Sequence, residues 1–200
     1  MIPVSEQYNT QKAHKFSMLL AIVGITMAFG GLTSAYIVRK GAGNWVDFPM
    51  PTVFYTSTII IILSSVIMHV AHISNKKGHF KMSIFALFIT IILGLMFAYF
   101  QYQGWQYLTN EGIYLDGNPS GSFFYVITGM HVAHVIGGIL FIFIALINSF
   151  RRFVVKDEKS TIIEGSGSAL KVRTDLLSIY WHFMDGLWIY LFIFLYINLK

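Results

Sequence analysis

Five long runs almost free of charge divide the chain, and they predict helices over about 16–38, 53–72, 82–103, 122–148 and 176–197. At about 1.5 Å per helical residue, each is long enough to cross a hydrocarbon core of about 30 Å. The runs are continuous rather than alternating with a period of two. They therefore read as helices, not as the roughly ten-residue strands of a barrel. The first run is too long for the apolar region of a signal peptide and lacks a convincing small-residue cleavage site, so it reads as a retained helix. The expected fold is an all-α integral membrane protein: one membrane domain over residues 1–200, a bundle of five transmembrane helices.

Composition excludes the soluble alternatives. Hydrophobic residues make up 56% of the chain and charged residues 12%, about half the charged share of an ordinary soluble domain. Twenty-three Asp, Glu, Lys and Arg residues are too few to coat a soluble fold. A cytosolic domain, a disordered chain and a nucleic-acid binder are set aside together. Cysteine is absent, which removes disulfides, thiolate nucleophiles, iron–sulfur clusters and Cys-ligated zinc.

Charge gives an orientation. Five crossings put the termini on opposite sides. Lys12, Lys15, Lys76, Lys77, Lys81, Arg151, Arg152, Lys156, Lys159, Lys171 and Arg173 fall on one side, against Arg39, Lys40 and Lys200 on the other. Basic loops stay inside, so the N-terminus is expected inside and the C-terminus outside. The segment 160–168, rich in Gly, Ser and Thr, reads as a mobile part of the longest inner loop.

Few residues are equipped for chemistry. There is no phosphate-cradling Gly loop, nucleophile elbow or carboxylate cluster, and the reading assigns no catalytic, cofactor or metal residue. Seven histidines remain: His14, His69, His72, His79, His131, His134 and His182. Bis-His haem needs two imidazoles level on facing helices. Counted from the inner end, His134 lies about 20 Å deep, His131 about 25 Å and His182 about 9 Å. A di-iron hydroxylase would want more clustered His boxes. Packing is the simpler reading of His131 and His134. They share a helix face, and Tyr, Thr or carbonyls of neighbouring helices would satisfy them. Gly129, Ala133 and Gly137 form a small-residue ridge beside them, which predicts a close helix contact. Asp185 is an ionisable group near mid-membrane, a costly placement that usually comes with a partner. His182 lies on the same face three residues earlier. The pair reads as a structural hydrogen-bonded contact, with a proton relay or an intersubunit contact as the alternative. His69 and His72 sit at the inner end of the second run. Trp188 is too deep for an interfacial anchor and, with Trp181, reads as helix packing.

Three stretches resemble subunit III of the haem–copper terminal oxidases, the cytochrome c oxidase family. Tyr180-Trp181-His182-Phe183-Met184-Asp185 is similar to the family's Tyr-Trp-His-Phe-x-Asp run. Thr128-Gly129-Met130-His131-Val132-Ala133-His134-Val135 resembles its Thr-Gly-x-His-x-x-His-Val segment. The run from Ala86 to Gly94, with Gln101 after it, is similar to a third, and His69-x-x-His72 fits less specifically. Longer family members have seven helices, and this chain looks like the five-helix form lacking the first two. The family's first shared helix often carries a membrane-embedded Glu. Here that stretch reads Gly24-Ile25-Thr26-Met27, so no role of that Glu carries over. A second family acid is replaced around Gly104.

The resemblance implies an accessory, non-redox subunit of a complex that reduces oxygen to water and pumps protons. Haem and copper belong to the partner subunits. Subunit I holds the haems and the oxygen-reducing copper site, and subunit II commonly holds the donor copper. Implied partners are subunit I above all, then subunit II, small subunits, membrane lipids including structural phospholipid, and a respiratory supercomplex. The implied roles are to stabilise subunit I, hold lipid and support proton uptake. The implied site is a bacterial cytoplasmic membrane ahead of a mitochondrial inner one. A transporter or channel and a b-type membrane cytochrome are the competing readings. Against the transporter, Pro3, Pro49, Pro51 and Pro119 all lie outside the spans, where broken transport helices would place such residues inside.

Overall fold

A computed structural model describes the backbone of residues 4–158 and 164–199 and the side chains of 12–151 and 174–199. The chain forms five helices: α1 (Val4–Gly41), α2 (Val53–Lys76), α3 (Phe80–Asn110), α4 (Pro119–Glu158) and α5 (Glu164–Asn198). All five are long and apolar enough to cross a membrane. No strand occurs among the described residues.

Three helices run past the predicted spans at one end. α1 starts at Val4, α4 continues to Glu158 and α5 begins at Glu164. An apolar run measures only the part of a helix that crosses lipid. Beyond it, Glu, Gln, Lys and Arg are good helix formers and carry the helix into water. Of the segment expected to be mobile, 160–163 lies outside the described residues and 164–168 is helical, the first turns of α5.

The helices alternate in direction. Phe54 at the start of α2 packs on Gly104 late in α3, and Trp105 of α3 donates to Thr128 early in α4 at 3.0 Å. His131 of α4 meets Trp188 of α5. α2, α3, α4 and α5 close into a four-helix ring, and α1 lies against the α4–α5 seam. Near its C-terminal end α1 is tied to α5, where Thr33 meets Tyr190 at 3.1 Å and Tyr36 donates to the Asn198 carbonyl at 3.2 Å. The end where α1 and α5 begin, the basic end, carries most of the lysines and arginines.

Tight turns hold the antiparallel pairs. Gly78 after α2 and Gly112 after α3 have φ of 78° and 79°, a left-handed conformation that suits glycine just past a helix. The following amides, of His79 and Ile113, reach back to the carbonyls of Ser74 and Leu108, both at 2.9 Å. α4 opens with Pro119 in its first position, where a missing N–H costs nothing. Asn118 caps it by accepting from the Ser120 amide at 3.1 Å. The same side chain donates to the Asn44 carbonyl at 3.0 Å, pinning the α1–α2 connection to the start of α4.

The core is aromatic and depends on missing side chains. A Cβ at Gly104 would stand 2.4 Å from the buried Phe54 ring. A Cβ at Gly94 would come within 3.0 Å of Trp181, and one at Gly138 within 3.0 Å of Tyr180 and 3.2 Å of Trp181. Trp181 is thus clasped between α3 and α4.

Candidate functional site

α2 and α5 run antiparallel, and their seam carries the polar groups of the bundle in register. Trp188 Nε1 donates to Thr58 Oγ1 at 2.9 Å. One helical stretch nearer the basic end, Trp181 Nε1 donates to Ser64 Oγ at 3.0 Å. Ser65 Oγ and His182 Nδ1 lie 2.7 Å apart. Closest to the basic end, His72 Nδ1 stands 3.3 Å from Asp175 Oδ1. The two indoles bond to hydroxyls inside the core, so each meets its donor requirement without water.

The lower half of this seam is a file of ionisable groups. His72 stacks beside His69 with centroids 6.5 Å apart, and His69 lies 6.0 Å from His182. His69 is exposed and His72 and His182 are half-buried. Ser65, bonded to His182, also interacts with the Asp185 carboxyl. Asp185 is 3% exposed. Neither of its oxygens has a hydrogen-bond partner of good geometry among the described residues. His182 and Asp185 are therefore not the hydrogen-bonded pair that their spacing predicts. Ser65 takes the imidazole and stands between them. The file descends from Asp185 to Asp175, about 15 Å along α5 at helical rise.

His131 and His134 stand apart from this file. His131 is fully buried, and neither ring nitrogen has a hydrogen-bond partner among the described residues. Phe29, Phe97 and Trp188 surround it with ring centroids 5.1–6.3 Å away. The Tyr, Thr or carbonyl expected from a neighbouring helix is not there, because the space is filled by rings. His134 is satisfied within its own helix, through the Met130 carbonyl at 2.7 Å. Neither imidazole faces another histidine across the bundle, so the pair does not fit bis-His haem. Among the described residues no group of three or more His, Asp or Glu is arranged to hold a metal ion.

The ridge of Gly129, Ala133 and Gly137 lies on an open face of α4. Ala133 is exposed, a Cβ at Gly129 would meet only Trp105 at 3.9 Å, and one at Gly137 would meet nothing within 4 Å. Among the described residues no helix lies along it. The close approach occurs one residue on, at Gly138. Trp181 and Trp188 are buried, at 1% and 0% exposure.

Ser65, Asp175, Ser64 and Gly138 were not legible as site residues. A signal existed for Ser65: it precedes His69 by four residues, one helical turn on the same face. Asp175 lies just before the fifth run, where a lone acid reads as an ordinary boundary residue.

Because the cage around His131 offers it no hydrogen bond, His131→Leu is expected to leave the thermal midpoint of the purified protein unchanged or raise it. A buried unsatisfied polar group costs about 1–3 kcal/mol. A clear fall in midpoint would mean that the imidazole makes a bond on which the fold depends.

Comparison with known proteins gives a consistent picture. A family model described as cytochrome c oxidase subunit III matches residues 6–199. Cytochrome c oxidase subunit 3 of Thermostichus vulcanus is 32% identical, over 98% of this chain and 92% of its own length. The protein named "Probable cytochrome c oxidase subunit 3" of Nocardia farcinica is 30% identical over 85% of this chain and 80% of its own. A protein of Staphylococcus saprophyticus named "Probable quinol oxidase subunit 3" is 27% identical over 82% and 78%.

Proposed function

The chain belongs to the cytochrome c oxidase subunit III family, and on that premise we propose that it is the accessory, non-redox subunit of a bacterial respiratory oxidase, stabilising subunit I and gathering protons at its basic end. Haem and copper sit in the partner subunits, where oxygen is reduced to water. The chain lies in the cytoplasmic membrane with its basic end inside, and it forms one membrane domain over residues 1–200. Phospholipid fills the grooves that partners leave.

The observation that carries the proton role is the buried Asp185 carboxyl, which Ser65 approaches and which has no hydrogen-bond partner of good geometry among the described residues. A carboxyl kept only to bind the helices together would be bonded to one of them, since an unsatisfied buried group weakens a fold. This one ends a file of three imidazoles and a hydroxyl that leads to the basic surface. Imidazoles exchange protons near neutral pH. The gaps of 6.0 and 6.5 Å between ring centroids are of a size that a bridging water spans.

The assembly claim is tested by purifying the tagged chain from native membranes in mild detergent. Stoichiometric recovery of a haem–copper subunit I, with its Soret band, is the expected outcome. Recovery of the chain alone would count against it. The absence of native cysteine makes the orientation simple to check. Cysteine placed at Ser166 should react with an impermeant maleimide only from the cytoplasmic side, and cysteine at Gly117 only from outside. The reverse pattern would overturn the orientation.

A further inference from the structure

α1 is held to the bundle unevenly. Among its described side chains only Phe29, Thr33 and Tyr36 are buried, and all three lie toward its C-terminal end. Met18, Ile22 and Ile25 continue the same stripe toward the basic end at helical spacing but are only half-buried, and every other side chain from Lys12 to Ala28 is exposed. The polar ties follow this division. Thr33 meets Tyr190, and Tyr36 and Lys40 both donate to the Asn198 carbonyl. Gly30 and Gly31 stand where the tied part meets the loose part. A Cβ at either would meet nothing within 4 Å, so among the described residues neither glycine makes room for a neighbour. Glycine inside a helix is costly relative to alanine, and pairs of small residues are where long helices bend. Phe29, the residue before the pair, covers His131. Its ring lies 6.3 Å from the His131 imidazole and 5.8 Å from that of His134, centroid to centroid. The other two walls of the cage, Phe97 and Trp188, belong to α3 and α5, which are helices of the closed ring.

We propose that α1 is a hinged strap: its arm on the basic-end side swings about Gly30 and Gly31, lifts Phe29 from His131 and opens that imidazole to a hydrogen-bonding group from outside the bundle. Two features make the motion easy. Few buried side chains hold the arm, and a segment with few buried contacts opens before the core does. The closed state also leaves both nitrogens of His131 without a hydrogen bond among the described residues, a costly arrangement in a dry interior. Opening relieves that cost, so the caged imidazole itself lowers the work of lifting the strap. The ties at Thr33, Tyr36 and Lys40 keep α1 attached while the arm moves. This inference goes beyond the proposed function and is independent of the proton file.

The test is distance measurement by pulsed electron paramagnetic resonance on the complex purified through this chain. Spin labels enter through introduced cysteines, which the chain otherwise lacks, and the signal of the unsubstituted complex is subtracted. One pair, Leu20→Cys with Leu140→Cys, reports the arm against α4. A second, Val38→Cys with Val126→Cys, reports the tied end, and all four positions are exposed. The arm pair is expected to show two distances, the longer one being the open strap, and the tied pair a single one. Gly30→Ala with Gly31→Ala should shrink the longer population by roughly fivefold for each glycine. His131→Leu, which removes the orphaned imidazole without touching α1, should shrink it by about fivefold or more. A single distance for the arm pair, or a longer population unchanged by the alanines, would overturn the hinge. An unchanged population in His131→Leu would overturn the coupling to the cage. Loss of subunit I from the alanine variant would show that the glycines seat a partner helix instead, and would also overturn the hinge. Any of these failures would leave the proposed function standing.

Discussion

Gly138→Leu should strongly destabilise the bundle, while Gly137→Leu, one residue along, should leave the chain folded. The two positions differ in what surrounds them. The added Cβ alone would stand 3.0 Å from Tyr180 and 3.2 Å from Trp181 at Gly138, against nothing within 4 Å at Gly137. Trp181 cannot retreat. Its far edge already lies against Gly94 of α3, and its indole nitrogen is bonded to Ser64 at 3.0 Å. Overpacking a filled core costs about 1–3 kcal/mol, and here the breakage of a buried hydrogen bond adds to that. Thermal unfolding in detergent should show a large fall for Gly138→Leu and little change for Gly137→Leu. Because no described residue covers the Gly137 side of the Gly129, Ala133 and Gly137 face, any loss of subunit I from a folded Gly137→Leu variant would mark that face as the one a partner subunit occupies. Equal stability of the two variants would contradict the clasp around Trp181.

Asp185→Leu should stabilise the chain yet impair the complex. The carboxyl is 3% exposed and, although Ser65 approaches it, has no hydrogen-bond partner of good geometry among the described residues. Its burial leaves no route for a partner subunit to supply one. Replacing it by an apolar side chain of similar length removes a penalty of about 1–3 kcal/mol. The purified variant should therefore melt at or above the wild-type temperature and recover subunit I with its haem spectrum unchanged. Oxygen turnover should fall severalfold, most at high pH, where protons are scarce. Asp185→Asn should behave the same way, since an amide cannot pass a proton along the file. A strongly destabilised Asp185→Leu chain would mean that the carboxyl makes a bond the fold needs. Full turnover in both variants would leave the residue without a role in proton delivery.

The crossings and their number were legible because lipid leaves a continuous apolar run in the sequence. Helix ends were not, since the basic extensions of α1, α4 and α5 sit in water, where no apolar run is required. The candidate site was half legible. His69, His72, His182 and Asp185 stand out as ionisable residues in apolar runs. What joins them is the antiparallel register of α2 and α5, a relation between two segments more than a hundred residues apart. Ser65 becomes visible only once that register is known, and it replaces the His182–Asp185 contact that spacing along one helix predicts. The ridge at Gly137 and the clasp at Gly138 differ by about 100° of helix rotation. Sequence spacing identifies such small-residue faces without saying which one turns inward.

Proton uptake measured from the basic side tests the account most directly. The complex reconstituted in vesicles, with subunit I and its haem spectrum intact, is followed with a pH-sensitive dye during oxygen reduction at pH 8. The account predicts slower uptake in Asp185→Asn and in Ser65→Ala than in the wild type, with the two effects not adding when combined, because both interrupt one path. Uptake at the wild-type rate in the double variant would contradict it.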